Sequence, residues 1–237
     1  TSLAWDGNWL AAGLAGGRIH VWNSEGALVL IASLGQGVDP CYVKLLDGAV
    51  VAAAGTDVRR WHLSGNGGGP SGAVEEATDS LSGRAHCLSL GQGDTFMVGL
   101  EDGCVELRFL DLSLQSTQSL HRTAVSAACV VDDDVITGSA DGRVARWNVH
   151  EGWQRVWSSQ HEDRIVAAAV GGGKTIVTGA LDGTIRAWGS DDGSQRFIIP
   201  GHKVWLGSIC IPGDKGMMVT DGRDNAVYLY DFREPSS

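Results

Sequence analysis

The chain has 237 residues, 43% of them hydrophobic, which is enough for a core, and no apolar run approaches the length of a membrane span. Its 28 acidic against 18 basic side chains leave a formal net charge of −10. That balance argues against generic binding to nucleic acid or an anionic membrane, because phosphate contacts need concentrated Lys and Arg. No positively charged start with an apolar stretch marks a signal peptide. The five cysteines, Cys41, Cys87, Cys104, Cys129 and Cys210, are scattered, odd in number and never in a C-x-x-C pair. They read as reduced thiols of an intracellular protein, cytoplasmic or nuclear, with no metal site and no cofactor.

In chain order, Thr1–Ala4 and Trp9–Gly13 read as two strands, followed by A-A-G-L-A-G-G-R-I-H-V-W from Ala11 to Trp22 and an outer strand over Ala27–Leu34. A-A-G-T-D-V-R-R-W (Ala53–Trp61) comes next, with a shortened turn. After it, residues 64–80 read as a flexible Gly-rich insertion that opens S-G-N-G-G-G-P-S-G and leaves through Glu75, Glu76 and Asp79. M-V-G-L-E-D-G-C-V-E-L-R (Met97–Arg108) is the most worn copy. The best formed are V-I-T-G-S-A-D-G-R-V-A-R-W-N (Val135–Asn148) and V-T-G-A-L-D-G-T-I-R-A-W (Val177–Trp188), preceded by small apolar runs at Ala124–Val131 and Ile165–Val170. Such continuous runs predict strands buried on both faces. V-T-D-G-R-D-N-A-V-Y-L-Y (Val219–Tyr230) closes the series. Each copy is a hairpin signal, two β-favouring runs about an Asp-Gly or related turn that tolerates positive φ.

The hairpins end at 22, 61, 108, 147, 188 and 230, giving steps of 39, 47, 39, 41 and 42. A period of roughly 40 to 45 residues with four strands and a Gly-His to Trp-Asp signature is that of a β-propeller blade. Gly201-His202 is a literal Gly-His, and His86, His121 and His161 stand at similar points in their units. The Trp-Asp position is filled by Trp22-Asn23, Trp147-Asn148, Trp188-Gly189 and Tyr230-Asp231. On these residues the chain resembles the WD-repeat family of β-propellers. The expectation is an all-β fold, one domain over residues 1–237 with six four-stranded blades. The last unit stops at Phe232-Arg233-Glu234-Pro235, too short for its outermost strand, so the segment is expected to belong to a six- or seven-bladed ring with incomplete closure.

The resemblance implies a polar network of His, Ser/Thr, Asp and Trp inside each well-formed blade. By position it comprises His121, Thr137, Asp141 and Trp147 in the fourth unit, and His161, Thr178, Asp182 and Trp188 in the fifth. In the sixth it comprises His202, Thr220, Asp224 and Tyr230, a phenol standing for the indole. The third unit has Arg108 for tryptophan and Val98 for the hydroxyl. Asp, His and Thr together also suit a hydrolase, but a catalytic constellation is needed once, whereas this one recurs with the blade period. Its groups are expected to satisfy each other in the interior. Gly171-Gly172-Gly173-Lys174-Thr175 resembles the end of a phosphate-binding loop, yet Ala168 stands where the leading Gly belongs and no helix pattern follows, so it reads as a hairpin turn.

With no catalytic residues assigned, the resemblance implies a protein-protein interaction scaffold, a subunit of a larger protein complex with no small-molecule substrate and no membrane insertion. Two alternatives stand beside it. Tyr230-Asp231-Phe232-Arg233 is near the W-D-x-R motif of substrate receptors of cullin-type ubiquitin ligases. A ribonucleoprotein component would need a basic face built from Arg18, Arg59, Arg60, Arg143, Arg146 and Arg186. Partner-binding candidates are the residues after the histidines, Arg122, Arg164, Lys203 and above all Trp205, since exposed aromatic and cationic side chains dominate interfaces. A second candidate is the pair Trp153 and Trp157, four apart on a predicted outer strand and so on one side of it.

Overall fold

The computed structural model describes residues 2–34, 39–65, 72–171, 175–200, 202, 206–211, 217–222 and 226–231. Among them every regular element is a β-strand, and the strands fall into six antiparallel sheets. The repeat array divides into two compact units, Thr1–Arg122 and Thr123–Ser237, each with three sheets.

In the first unit, the first sheet is β1 (Ser2–Trp5), β2 (Trp9–Gly13), β3 (Arg18–Asn23) and β4 (Leu28–Ser33). The second is β5 (Cys41–Leu46), β6 (Ala49–Ala54), β7 (Asp57–Ser64) and β8 (Gly72–Ser80), and the third β9 (Ala85–Leu90), β10 (Thr95–Leu100), β11 (Cys104–Phe109) and β12 (Leu114–Ser119). In the second unit, the fourth sheet is β13 (Val125–Val131), β14 (Asp134–Ser139), β15 (Arg143–Asn148) and β16 (Gln154–Gln160). The fifth is β17 (Ile165–Gly171), β18 (Thr175–Ala180), β19 (Thr184–Gly189) and β20 (Gln195–Pro200). The sixth has three strands among the described residues, β21 (Leu206–Cys210), β22 (Met217–Gly222) and β23 (Val227–Asp231).

Each sheet runs as a meander, and alternation of side chains sends successive residues of a strand to opposite neighbours. In β6, Val50 and Ala52 join Trp9, Ile19 and Val21 of the first sheet, while Val51 and Ala53 join Phe96 and Val98 of the third. In the second unit, Ile136 and Val144 pack on Ile176 and Trp188, and on the other side Val177 and Ile185 pack on Leu206 and Met218. The second strand of a sheet is thus covered twice, and β6, β14 and β18 are buried along their whole length. This corrects the reading of Ala124–Val131 and Ile165–Val170 as the doubly buried strands. Their middles, Ala128–Val130 and Val166–Val170, are half-buried, and it is the strand after each that carries the continuous burial.

The turn of the best-formed hairpin spans Ala140-Asp141-Gly142, three residues where two were predicted. Gly142 N–H closes on Ser139 O at 3.1 Å, and Gly142 takes φ 82°. A type I turn followed by a left-handed glycine is the usual three-residue hairpin. A side chain is also excluded there by crowding, since a Cβ would lie 2.7 Å from His161 O. The same turn recurs at Gly103 and Gly183, and the carbonyls of Gly103, Gly142 and Gly183 accept the backbone N–H of His121, His161 and His202 at 3.1, 2.9 and 3.1 Å.

The reading of 64–80 as one flexible insertion is corrected from Gly72 onward. Gly72–Ser80 is the nine-residue strand β8, in register with β7 from Ser64↔Gly72 to Asp57↔Ser80. Ion pairs Arg59–Glu75 (3.5 Å) and Arg60–Glu76 (3.2 Å) join the two strands. An outer strand with little apolar surface to bury gives no hydrophobic pattern, so its sequence passes for loop. Residues 66–71 lie outside the described ones.

Candidate functional site

The fifth sheet brings all four of its expected network residues together and adds a fifth. Thr178 on β18 and Trp188 on β19 stand ten residues apart, and the register Ile176↔Trp188 places the indole beside the hydroxyl. Trp188 Nε1–H donates to Thr178 Oγ1 at 2.7 Å, and His161 Nε2 lies 2.7 Å from the same oxygen. On the far side of the ring, His161 Nδ1 is 3.4 Å from Thr184 Oγ1, whose hydroxyl donates to Asp182 Oδ1 at 2.7 Å.

The direction of every proton follows. A carboxylate only accepts, so the Thr184 proton is committed to Asp182 and its oxygen is left to accept from His161 Nδ1–H. The neutral ring then offers a bare Nε2, which takes the Thr178 proton, while a lone pair of Thr178 Oγ1 takes the indole N–H. The chain runs Trp188 to Thr178 to His161 to Thr184 to Asp182 with each donor used once. Burial pushes the His161 pKa down to about 4, Arg186 adds to the effect and Asp182 opposes it, so the ring is neutral at pH 7. The unfolded chain takes up this proton near 6.5, whereas the folded one holds out until about 4. Stability therefore falls as pH drops through that window, by roughly 3 kcal/mol at the limit.

This arrangement has the composition of a nucleophile and its base but not the access. Thr178 is fully buried and His161 nearly so, and both polar faces of the imidazole are occupied. Cys41 and Cys87, the two buried thiols, are pushed up to about 12 by burial, and none of the five cysteines, all among the described residues, is in a disulfide. A thiol held protonated is a poor nucleophile.

The other sheets carry variants of the same theme. In the fourth, Trp147 Nε1–H donates to Thr137 Oγ1 at 2.7 Å, and Asp141 accepts from Ser139 Oγ and from the Arg143 backbone N–H at 3.2 Å. His121, at the end of the first unit, is buried. In the sixth, His202 Nε2 lies 3.0 Å from Thr220 Oγ1 and its ring stands edge-on to Tyr228 at 4.7 Å. Tyr230 occupies the register place of the tryptophan, opposite Met218, and Asp224 lies outside the described residues. Two contributors escaped the sequence reading, Thr184 and Ser139, because each occurs in only one of the two best-formed units. The signal was the Asp-Gly-Thr against Asp-Gly-Arg difference at 182–184 and 141–143.

The worn third sheet has a replacement network. Arg108 and Glu106 are both buried, with Arg108 Nε donating to Glu106 Oε2 at 2.7 Å. The guanidinium also donates to Asp79 Oδ2 (2.6 Å), Leu112 O (2.7 Å) and Ser80 O (2.9 Å), and Glu106 Oε1 accepts the Ser82 backbone N–H at 2.7 Å. Arg108 holds the Asp79 carboxyl below the usual carboxylate range, chiefly through its hydrogen bond. A charge cluster thus does in this sheet what the indole and hydroxyl do in the fourth and fifth, and it ties β8 to the third sheet.

Of the partner-binding candidates, the tryptophan pair is corrected. Trp153 precedes β16, in a turn at φ 62°, so it does not share a strand face with Trp157. Both are buried. Trp157 Nε1–H donates to Ser190 O at 2.7 Å, and its ring fills the space that a Cβ on Gly193 would enter. Trp157 is packing between the fourth and fifth sheets. Arg122 is exposed, and Arg164 is half-buried with its backbone N–H on Asp163 Oδ1 at 2.6 Å. Lys203 and Trp205 lie outside the described residues, as do Gly201, Phe232 and Arg233.

Four of the six arginines that a nucleic-acid face would need have carboxylate partners. Arg59 and Arg60 meet Glu75 and Glu76, Arg146 donates to Asp134 Oδ2 (2.6 Å) and Ser190 O (2.6 Å), and Arg186 reaches Gln160 O (2.9 Å) and Glu162 (4.0 Å). Arg18 and Arg143 are exposed. The phosphate-loop lookalike is flanked as a hairpin should be, with Gly171 paired to Thr175 at the ends of β17 and β18.

No protein-family profile matches the chain, and no curated protein sequence matches it. Among solved structures it is similar to the computationally designed protein Ika8, at 25% identity and TM-score 0.74, over 98% of this chain and 70% of that one. It is similar to a chain of the mitotic checkpoint complex, at 16% identity and TM-score 0.82, over 97% and 73%. It is also similar to the WD40 β-propeller domain of Doa1, at 18% identity and TM-score 0.81, over 97% and 77%. With meander sheets repeating at the blade period and this likeness over nearly its full length, the chain has a β-propeller fold similar to that of the WD40 domain of Doa1.

Proposed function

We propose that the protein is a non-catalytic scaffold that holds other proteins in a larger assembly. The observation that carries the reading is the closed proton chain of the fifth blade. His161 and Thr178, which could have formed a reaction centre with the exposed Asp182, are buried, and the three are joined through Thr184 in one hydrogen-bond chain; related pairings recur in the fourth and sixth sheets. One neighbour of the same fold is a chain of the mitotic checkpoint complex, which supports the reading by analogy.

The partner-binding residues we propose are Arg164, Lys203 and Trp205 of the second unit, which follow His161 and His202 in sequence, and separately Arg122, which ends the first unit. Aromatic and cationic side chains suit an acidic or phosphorylated segment. Affinity purification from native extract with the wild-type chain, Trp205→Ala and Arg122→Glu tests this. Each variant is expected to lose at least about tenfold of the same co-purifying proteins, the effect of one interface hot spot, at an unchanged denaturation midpoint. Undiminished recovery with both variants would remove these residues as partner-binding ones.

A further inference from the structure

We propose that the Asp47–Gly48 peptide is a covalent modification site, at which the folded chain isomerises spontaneously to isoaspartate. The sequence holds seven Asp-Gly pairs, and all of them lie among the described residues. In such a pair the glycine amide has no side chain to shield it from the neighbouring carboxyl. The Gly48 nitrogen bonds to Asp47 Cγ, the Cγ–OH bond breaks, and the hydroxyl leaves as water with the amide proton. Water then opens the five-membered imide at one of its two carbonyls. Opening at the side-chain carbonyl restores aspartate. Opening at the main-chain carbonyl leaves the chain running through the β-carboxyl as isoaspartate, at no net change in mass.

In four of the seven pairs the fold holds both reacting groups. Asp102, Asp141, Asp182 and Asp192 each accept the backbone N–H two residues on, at 2.9, 3.2, 2.7 and 2.9 Å. Each following glycine is buried and donates its own N–H to a carbonyl across the turn, at 3.3, 3.1, 3.1 and 3.0 Å. Ring closure there needs the turn to open first. Asp6 Oδ1 is occupied by the N–H groups of Asn8 and Trp9, at 2.9 and 2.8 Å. Asp221 Oδ1 accepts from Ser208 Oγ at 2.6 Å, and Asp221 and Gly222 are paired inside β22.

Asp47-Gly48 differs on each count. It is the two-residue turn between β5 and β6, closed by Leu46↔Ala49, with φ 48° and 67°. Two positive angles in succession make a type I′ turn, whose closing pair leaves both central amides out of the ladder. Gly48 O accepts the Leu63 N–H at 2.7 Å, but among the described residues no acceptor meets the Gly48 N–H and no donor meets the Asp47 carboxylate. Asp47 is exposed, and a Cβ on Gly48 would meet only Leu63 O, at 3.9 Å, so the water that opens the imide has access. The β-linkage adds a backbone carbon between residues 47 and 48. A turn of this type is set by its length, so the product no longer closes Leu46 on Ala49, and the doubly packed strand β6 loses that anchor of its register.

Peptide mapping by mass spectrometry, on residues 1–237 kept at physiological temperature in mildly acidic buffer, tests the proposal. Isoaspartate is scored by shifted elution at unchanged mass and by enzymatic methylation of its α-carboxyl. In the native chain it should accumulate at residue 47 at least about tenfold faster than at any other Asp-Gly pair, the factor supplied when one or two turn hydrogen bonds must break before reaction. In concentrated urea the seven pairs should react at comparable rates. Asp47→Glu, whose imide would need a six-membered ring, should stay unmodified at this position, with the denaturation midpoint confirming that it is folded. Asn66-Gly67, outside the described residues, is told apart because loss of its amide changes the mass. A native chain without isoaspartate at residue 47 overturns the proposal. So does equal accumulation at Asp6 or in the four hydrogen-bonded turns, or a preference for residue 47 that persists in urea.

Discussion

Thr178→Val lowers the stability of the second unit by about 2–4 kcal/mol, since it leaves two buried groups without a partner at about 1–3 kcal/mol each. Valine matches threonine in shape, so packing is kept and the loss is polar. The stranded groups are the Trp188 indole N–H and His161 Nε2, both 2.7 Å from the hydroxyl. Thr178→Ser, which retains the oxygen, should recover most of the loss. Urea denaturation followed by Trp fluorescence checks both. A valine variant with the wild-type midpoint would mean that neither bond contributes, and the closed chain would lose its central link.

Arg108→Ala is expected to cost about 3–5 kcal/mol, because it leaves the Glu106 carboxylate buried without its counter-charge. Glu106 is 1% exposed, and its other oxygen is already spent on the Ser82 N–H. Removing both charges is a different matter. A buried ion pair contributes little beyond an apolar pair of the same volume, so Glu106→Leu/Arg108→Met should recover most of the loss. Asp79→Ala removes the half-exposed member of the cluster and should cost under about 1 kcal/mol. Midpoints of the three variants against the wild type decide it. A double variant as unstable as Arg108→Ala would show that the backbone bonds to Ser80 and Leu112, and not the charge on Glu106, hold the third sheet.

The period of the hairpins was legible because the Asp-Gly turn is a local requirement. The glycine is needed both for its positive φ and for the approach of His161 O, and the Asp carboxylate accepts the N–H two residues on in three sheets. The network residues of the fifth blade were legible only through the resemblance to WD-repeat propellers, which placed them by their positions relative to that turn. What escaped was set by packing across sheets. Trp153 and Trp157 looked like a surface pair because four-residue spacing assumes one continuous strand, while β16 begins only at Gln154. Strand β8 was hidden by its acidic, weakly alternating composition and shows itself only through pairing with β7. Arg108 read as a defect because its partners Asp79 and Ser80 lie almost thirty residues upstream.

The central claim is that the Asp, His and Thr of the fifth blade form a structural proton chain with no vacant base. Nitrogen-15 NMR of the His161 ring during a pH titration tests it most directly. The expected ring is protonated on Nδ1, bare on Nε2 and unchanged from pH 7.5 to about 5, with uptake of a proton only near pH 4. A His161 that titrates near 6.5, or one that carries its proton on Nε2, would contradict the chain and reopen the site to general-base chemistry.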